Sequence, residues 1–146
     1  MSLSNIFNVA GSGMNAQSIR LNTTASNIAN AETASSSSEL TYRGRHPVFS
    51  AVQAAALQGN TMSAQHDTPE SMGVRVQGIV ESDAPLQPRY EPENPNANED
   101  GYVYYPNVNI VEEMTNMISA SRSFQVNVEV MNAAKQMVQR VLSLGQ

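Results

Sequence analysis

The run with the clearest capacity for chemistry is Gly11-Ser12-Gly13-Met14-Asn15-Ala16, which fits G-x-G-x-x-G/A. Such a run cradles a pyrophosphate when a strand leads in, a helix leads out and an acidic residue follows about 20 positions later. Glu32 lies near that position, but the surroundings are wrong. An apolar heptad runs straight through the glycines from Leu3 to Ala31, and a serine-rich stretch follows where a second strand is required. The two histidines, His46 and His66, stand far apart, and neither has a carboxylate at helical metal-ligand spacing. His66-Asp67 reads as a loop dipeptide. No G-x-S-x-G elbow occurs, and with no cysteine neither a disulfide nor a thiolate metal site can form. Pro85-Leu86-Gln87-Pro88 matches PxxP but reads as loop, and Arg43 with Arg45 are too few for a nucleic-acid stripe. No catalytic constellation survives. The expectation is a non-enzyme without metal or cofactor.

The positions that do carry a pattern belong to long elements. Met117, Ala120, Phe124, Met131, Ala134, Val138 and Val141 fall alternately three and four residues apart, with Asn127 in the one polar slot. That is the a/d seam of a coiled coil held for about three and a half heptads. Asn109 suits an N-cap with Glu112 three residues on, and no Gly or Pro interrupts Asn109 to Leu144. Gln125 to Val130 alternates polar and β-branched residues like a strand, but the heptad on both sides outweighs it. The predicted helix runs roughly 55 Å and cannot bury its own stripe.

The N-terminal segment has a weaker stripe. Phe7, Met14, Leu21 and Ile28 recur every seven residues with Leu3, Ala10, Ala25 and Ala31, while Gln17 and Thr24 make it wetter. Gly11 and Gly13 each cost about 1 kcal/mol relative to Ala in a helix. Asn27, Asn30 and Asn127 read as register devices, polar groups satisfied in one alignment only. An amphipathic helix at each end is most simply satisfied by pairing the two.

Between them, Thr33 to Ser38 reads as a flexible joint. Tyr42 to Phe49 is basic and aromatic and ends in a strand. Ala51 to Leu57 is ambiguous, and Met72 to Ser82 reads as a strand with a bulge or turn at Gly73 or Gly78. Pro85 to Asp100 reads as an irregular loop, and Tyr102 to Tyr105 as a last strand. The predicted fold class is α+β: long N- and C-terminal helices paired as a coiled-coil layer around a small β-rich middle. The expected domains are 1–34 with 107–146 as the helical layer, and 35–106 as linker plus β-rich middle.

With 146 residues one ordinary domain is available, but aromatics are only 5% of the chain, so a large core is poorly supplied. Charged residues are 14%, a surface poor at keeping molecules apart. The net charge of −5 argues against nucleic acid as the main partner. The N-terminus lacks a basic region and an unbroken apolar run, so no secretory signal is expected, and no stretch is long enough to span a membrane.

Three blocks resemble the bacterial flagellar axial proteins, the rod and hook subunits. Leu21-Asn22-Thr23-Thr24-Ala25-Ser26-Asn27-Ile28-Ala29-Asn30-Ala31 is similar to their shared N-terminal signature. Tyr42-Arg43-Gly44-Arg45-His46-Pro47-Val48-Phe49 resembles the basic-aromatic patch that follows it in a rod protein. Gly101 to Gln146 is the most specific block, with Tyr105-Pro106-Asn107-Val108-Asn109, Met117 to Gln125 and the Leu142-Ser143-Leu144-Gly145-Gln146 ending. Thr33-Ala34-Ser35 departs from the Thr-Pro-Gly many relatives carry. The resemblance implies a structural subunit of the basal-body rod, a tube crossing the periplasm, exported by the flagellar type III apparatus without a cleavable signal. It implies as partners other rod proteins, copies of itself and the basal-body base (the MS ring and its adaptor). A soluble coiled-coil adaptor or chaperone, or a hook or distal rod subunit, is the alternative.

Overall fold

Helix formation at the C-terminal end starts where a cap is available. Asn109 Oδ1 accepts hydrogen bonds from the backbone N–H groups of Val111 (3.1 Å) and Glu112 (3.4 Å). These are donors the first turn cannot satisfy internally. From there a helix runs unbroken over Ile110–Leu144, carrying Gln125 to Val130 with it. The computed structural model describes residues 3–53 and 71–144. In chain order the elements are α1 (Leu3–Asn30), β1 (Arg45–Gln53), β2 (Ser71–Glu81), β3 (Gln87–Tyr90), β4 (Tyr102–Tyr105) and α2 (Ile110–Leu144). β1 pairs with β2, and β3 with β4. The architecture is α+β, two long helices flanking small two-stranded sheets, as the periodicities predict. Residues 54–57 of the ambiguous segment, His66-Asp67 and Gly145 lie outside the described residues. Among the described residues no helix is long and apolar enough to cross a membrane.

The chain divides into two compact units. One gathers Met1–Ile19, Val48–Gly78 and Ala120–Gln146; the other gathers Arg20–Pro47 and Ile79–Ser119. Within the first, Gly11 lies opposite Met131 and Gly13 opposite Asn127, so the helices run antiparallel there. Its buried apolar residues are Ala10, Ala16, Ala120 and Ala134. A contact built on alanines and glycines is close but gives little apolar area, in keeping with the low aromatic content.

The second unit is built on the β3–β4 ribbon, in register from Gln87 opposite Tyr105 to Tyr90 opposite Tyr102. Val103 and Pro106 are fully buried there, while the Tyr90 and Tyr102 rings meet edge to face at 5.3 Å. Two expectations are corrected here. Pro85 to Asp100 is not wholly irregular, because Gln87–Tyr90 forms β3; an edge strand tolerates Pro88, which has no N–H to give. The remainder, from Glu91 to Gly101, is turns pinned by side chains: Asn98 Oδ1 accepts from Asp100 N (3.0 Å) and Tyr102 N (2.8 Å). Gly101 has a φ of +80°, and a Cβ there would stand 2.8 Å from the Tyr90 ring.

The serine stretch is likewise not a free joint. Ser35 exchanges both backbone bonds with Tyr104, at 2.9 and 3.1 Å, on the edge of β4 away from β3. Thr33 Oγ1 donates to Asn30 O, and Thr41 Oγ1 donates to Ser37 O. Hydrogen bonds order a segment that has no apolar pattern to announce it.

Candidate assembly surface

Gly13 of the G-x-G-x-x-A run finds its reason in the first unit. A Cβ on Gly13 would sit 2.9 Å from Asn127 Nδ2, closer than packing allows, whereas one on Gly11 would be 4.0 Å from Met131 Cε. Ser12 Oγ donates to Val9 O (2.8 Å) and accepts from Val74 N (3.1 Å), tying β2 to α1. Gly73, with a φ of +128°, lets β2 come this near; a Cβ there would collide with Ser12 Oγ. Small residues at 11 to 13 thus admit two neighbours to the helix, and residues 3–30, these glycines among them, form one helix.

The stripe on α2 can be followed residue by residue. Ala120 and Ala134 are buried; Met117, Phe124, Asn127, Met131 and Val138 are half-buried; Val141 is 64% exposed. Buried Glu113 extends the same spacing one step toward the cap, a position the apolar pattern missed because its residue is charged. On α1 the outcome differs. Phe7, Met14, Leu21, Ile28 and Asn30 are half-buried and Ala25 is exposed, while Ala10, Ala16, Thr23, Thr24, Asn27 and Ala31 are buried. The large apolar side chains flank the line of closest approach, which small and polar residues occupy. Gln17 Oε1 is buried without a hydrogen-bond partner among the described residues, a cost of roughly 1–3 kcal/mol.

A second set of apolar residues was not singled out from the sequence. In the second unit Val111, Met114 and Ile118 are exposed, and in the first Val126, Val130 and Met137 are exposed. Val111, Met114 and Ile118 step by three and four residues and Val126, Val130 and Met137 by four and seven, so each short run carries the helical period off the first stripe. α2 therefore exposes apolar residues outside that stripe.

The second unit also contains a knot of side-chain bonds around Tyr42 to Arg45. Asn27, 0% exposed, accepts at Oδ1 from Tyr42 OH (2.8 Å) and Arg45 N (2.9 Å), and donates from Nδ2 to Arg45 O (2.8 Å). Asn107 Oδ1 accepts from Gly44 N (2.8 Å), and its Nδ2 donates to Ser82 O (3.1 Å) and Ala84 O (2.8 Å). Arg43 donates to the same two carbonyls, and Ser82 N donates to Gly44 O at 2.7 Å. The Arg45 guanidinium stands 5.2 Å from the Tyr42 ring centroid and pairs with Glu81 at 2.9 Å. Both partners of that ion pair are about half exposed, so it contributes little stability. Asn30 Nδ2 donates to Ser26 O within its own helix, and Arg20 donates to Asn116 Oδ1 (2.8 Å), joining α1 and α2 inside this unit. Near the ribbon, Tyr105 donates to Glu91 Oε2 (3.3 Å); desolvation first, then the Glu91 charge, holds its hydroxyl above the usual phenol range.

This arrangement offers surfaces and pins rather than reacting groups, and the comparisons with known proteins agree with it. Residues 7–34 match the family model described as "Flagella basal body rod protein". Residues 99–144 match the one described as "Flagellar basal body rod FlgEFG protein C-terminal". The chain is 45% identical over 146 residues to the flagellar basal-body rod protein FlgC of Salmonella typhimurium, with 100% of both chains covered. It is 46% identical over 146 residues to that of Escherichia coli O157:H7, again covering 100% of each. To that of Borreliella burgdorferi it is 36% identical over 151 residues, covering 100% of this chain and 99% of the relative. Two long helices, a β-rich middle and full-length likeness to these relatives lead to one conclusion: the chain belongs to the FlgC family of flagellar basal-body rod proteins, structural subunits of the rod.

Proposed function

We propose that this chain acts without catalysis, as a building block that enters the rod by packing its helices against copies of itself and other rod proteins. The observation that carries this is α2: one face lies along α1 in the first unit, yet Val126, Val130 and Met137, off that stripe, remain exposed. Exposed apolar residues at helical spacing on a charge-poor surface are stabilised by a neighbouring helix. In this reading the assembly residues are Phe7, Met14, Leu21, Asn27, Ile28, Asn30, Met117, Ala120, Phe124, Asn127, Met131, Ala134, Val138 and Val141. Residues 1–34 and 107–146 act as the helical layer, packed in coiled-coil fashion, and 35–106 as the part it carries. The subunit works in the periplasm, leaves the cell interior through the flagellar type III apparatus, and sits between the basal-body base and the next rod segment. The test is the amount of each variant recovered in purified basal bodies of cells lacking the unaltered protein. Met137→Asp and Phe124→Asp are synthesised but fail to incorporate, because an unpaired carboxylate in an apolar contact costs several kcal/mol. Glu129→Ala, at an exposed position off the first stripe, incorporates normally. Normal recovery of Met137→Asp would sink the proposal.

A further inference from the structure

The side-chain amide of Asn27 stands in for a strand. Both backbone polar groups of Arg45, the first residue of β1, are satisfied by this one side chain, its N–H by Oδ1 at 2.9 Å and its C=O by Nδ2 at 2.8 Å. Oδ1 takes the Tyr42 hydroxyl as well. The residue is fully buried, so water cannot replace these bonds, and losing them would strand a buried N–H and a C=O. The direction of that amide is set by its place in the last turn of α1: it reaches Arg45 only when residues 24 to 30 are helical. Arg45 is in turn one residue from Gly44, whose N–H is held by Asn107 and whose C=O accepts from Ser82 N. Four separate stretches of sequence thus meet at one point: the end of α1, the entry to β1, the exit of β2, and Asn107 just ahead of α2.

We propose that Asn27 is a positioning residue that makes the entry to β1 and the exit of β2 conditional on the last turns of α1 being helical. A chain whose α1 is unfolded offers no pair of partners to Arg45, so Gly44 and Ser82 lose their alignment with it. Anything that consolidates the end of α1, a neighbouring helix above all, thereby orders the entry to β1 and the exit of β2. The inference concerns the chain's own folding and stands whether or not the exposed stripe of α2 is the assembly face.

Amide-resolved hydrogen exchange on the full-length chain tests it with three variants. Asn27→Ala accelerates exchange of the Arg45, Gly44 and Ser82 amides together by about tenfold or more, although it touches only the first. The Glu91 and Tyr104 amides of the ribbon keep their rates. Tyr42→Phe, which removes one of the three bonds, gives a smaller acceleration at the same three amides. Ala25→Gly with Ala29→Gly, at exposed positions of α1 outside the knot, frays the helix end and reproduces the pattern. The proposal is overturned if acceleration is confined to Arg45, or if the ribbon amides accelerate equally. It also fails if the three amides hold while the end of α1 frays.

Discussion

Gly11 and Gly13 look interchangeable in the sequence, each a costly residue in a helix interior, and the structure separates them. Beside Gly11 there is room: a Cβ would make an ordinary contact at 4.0 Å. Gly11→Ala should raise stability by up to about 1 kcal/mol, the gain in helix propensity. Beside Gly13 the Asn127 amide leaves none, at 2.9 Å. Gly13→Ala should therefore lower stability by about 1–2 kcal/mol, overpacking outweighing propensity. Urea unfolding midpoints of the two variants read the opposite signs directly, and adding Asn127→Ala to Gly13→Ala should recover most of the loss. Similar signs for both single variants would contradict the close helix contact. Of the two glycines of the phosphate-binding fingerprint, only Gly13 meets a close neighbour here, and that neighbour is a side-chain amide of the facing helix.

At the scale of elements, the serine stretch and β3 share a lesson. Ser35 enters the ribbon through its backbone alone, so its side chain is immaterial and its N–H is not. Replacing Ser35 to Ser38 with glycines should leave the ribbon formed, at a modest entropic cost of roughly 1–3 kcal/mol in all. Ser35→Pro removes the donor to Tyr104 O and should expose the Tyr104 amide to rapid exchange; unchanged protection there would show that the third strand position is dispensable. Helices were readable because their stripes repeat over many turns, and β1, β2 and β4 because β-branched and aromatic residues cluster in them. β3 was not, since Gln87-Pro88-Arg89-Tyr90 has no alternation and owes its conformation to β4, twelve residues further on. The order of the serine stretch depends on Tyr104, sixty-nine positions away, a distance at which composition is silent.

For the whole molecule, the proposed assembly through the exposed apolar residues of α2 has a consequence for the isolated chain. At dilutions where sedimentation shows a monomer, limited proteolysis should cut first within residues 3–19 and 126–144 and leave the β3–β4 ribbon, which is joined on both edges of β4, intact longest. In assembled rods the same segments should resist. Equal resistance of the helical ends in a confirmed monomer would mean that α2 needs no neighbour. The sequence by itself determined the two helices, the Asn109 start of α2 and the spacing of the first α2 stripe, because periodicity and caps are local properties. Only the tertiary structure decided which side of α1 is buried. There Ala10, Ala16, Thr23, Thr24 and Asn27 go inside while Phe7, Met14, Leu21 and Ile28 stay at the margin. Where Gly13 meets Asn127 in the first unit, small side chains fit and large ones do not. Tertiary structure likewise turned Asn27 from a polar residue on a stripe into the partner of Arg45. A hydrogen bond between residues eighteen apart leaves no periodic trace in the chain that makes it.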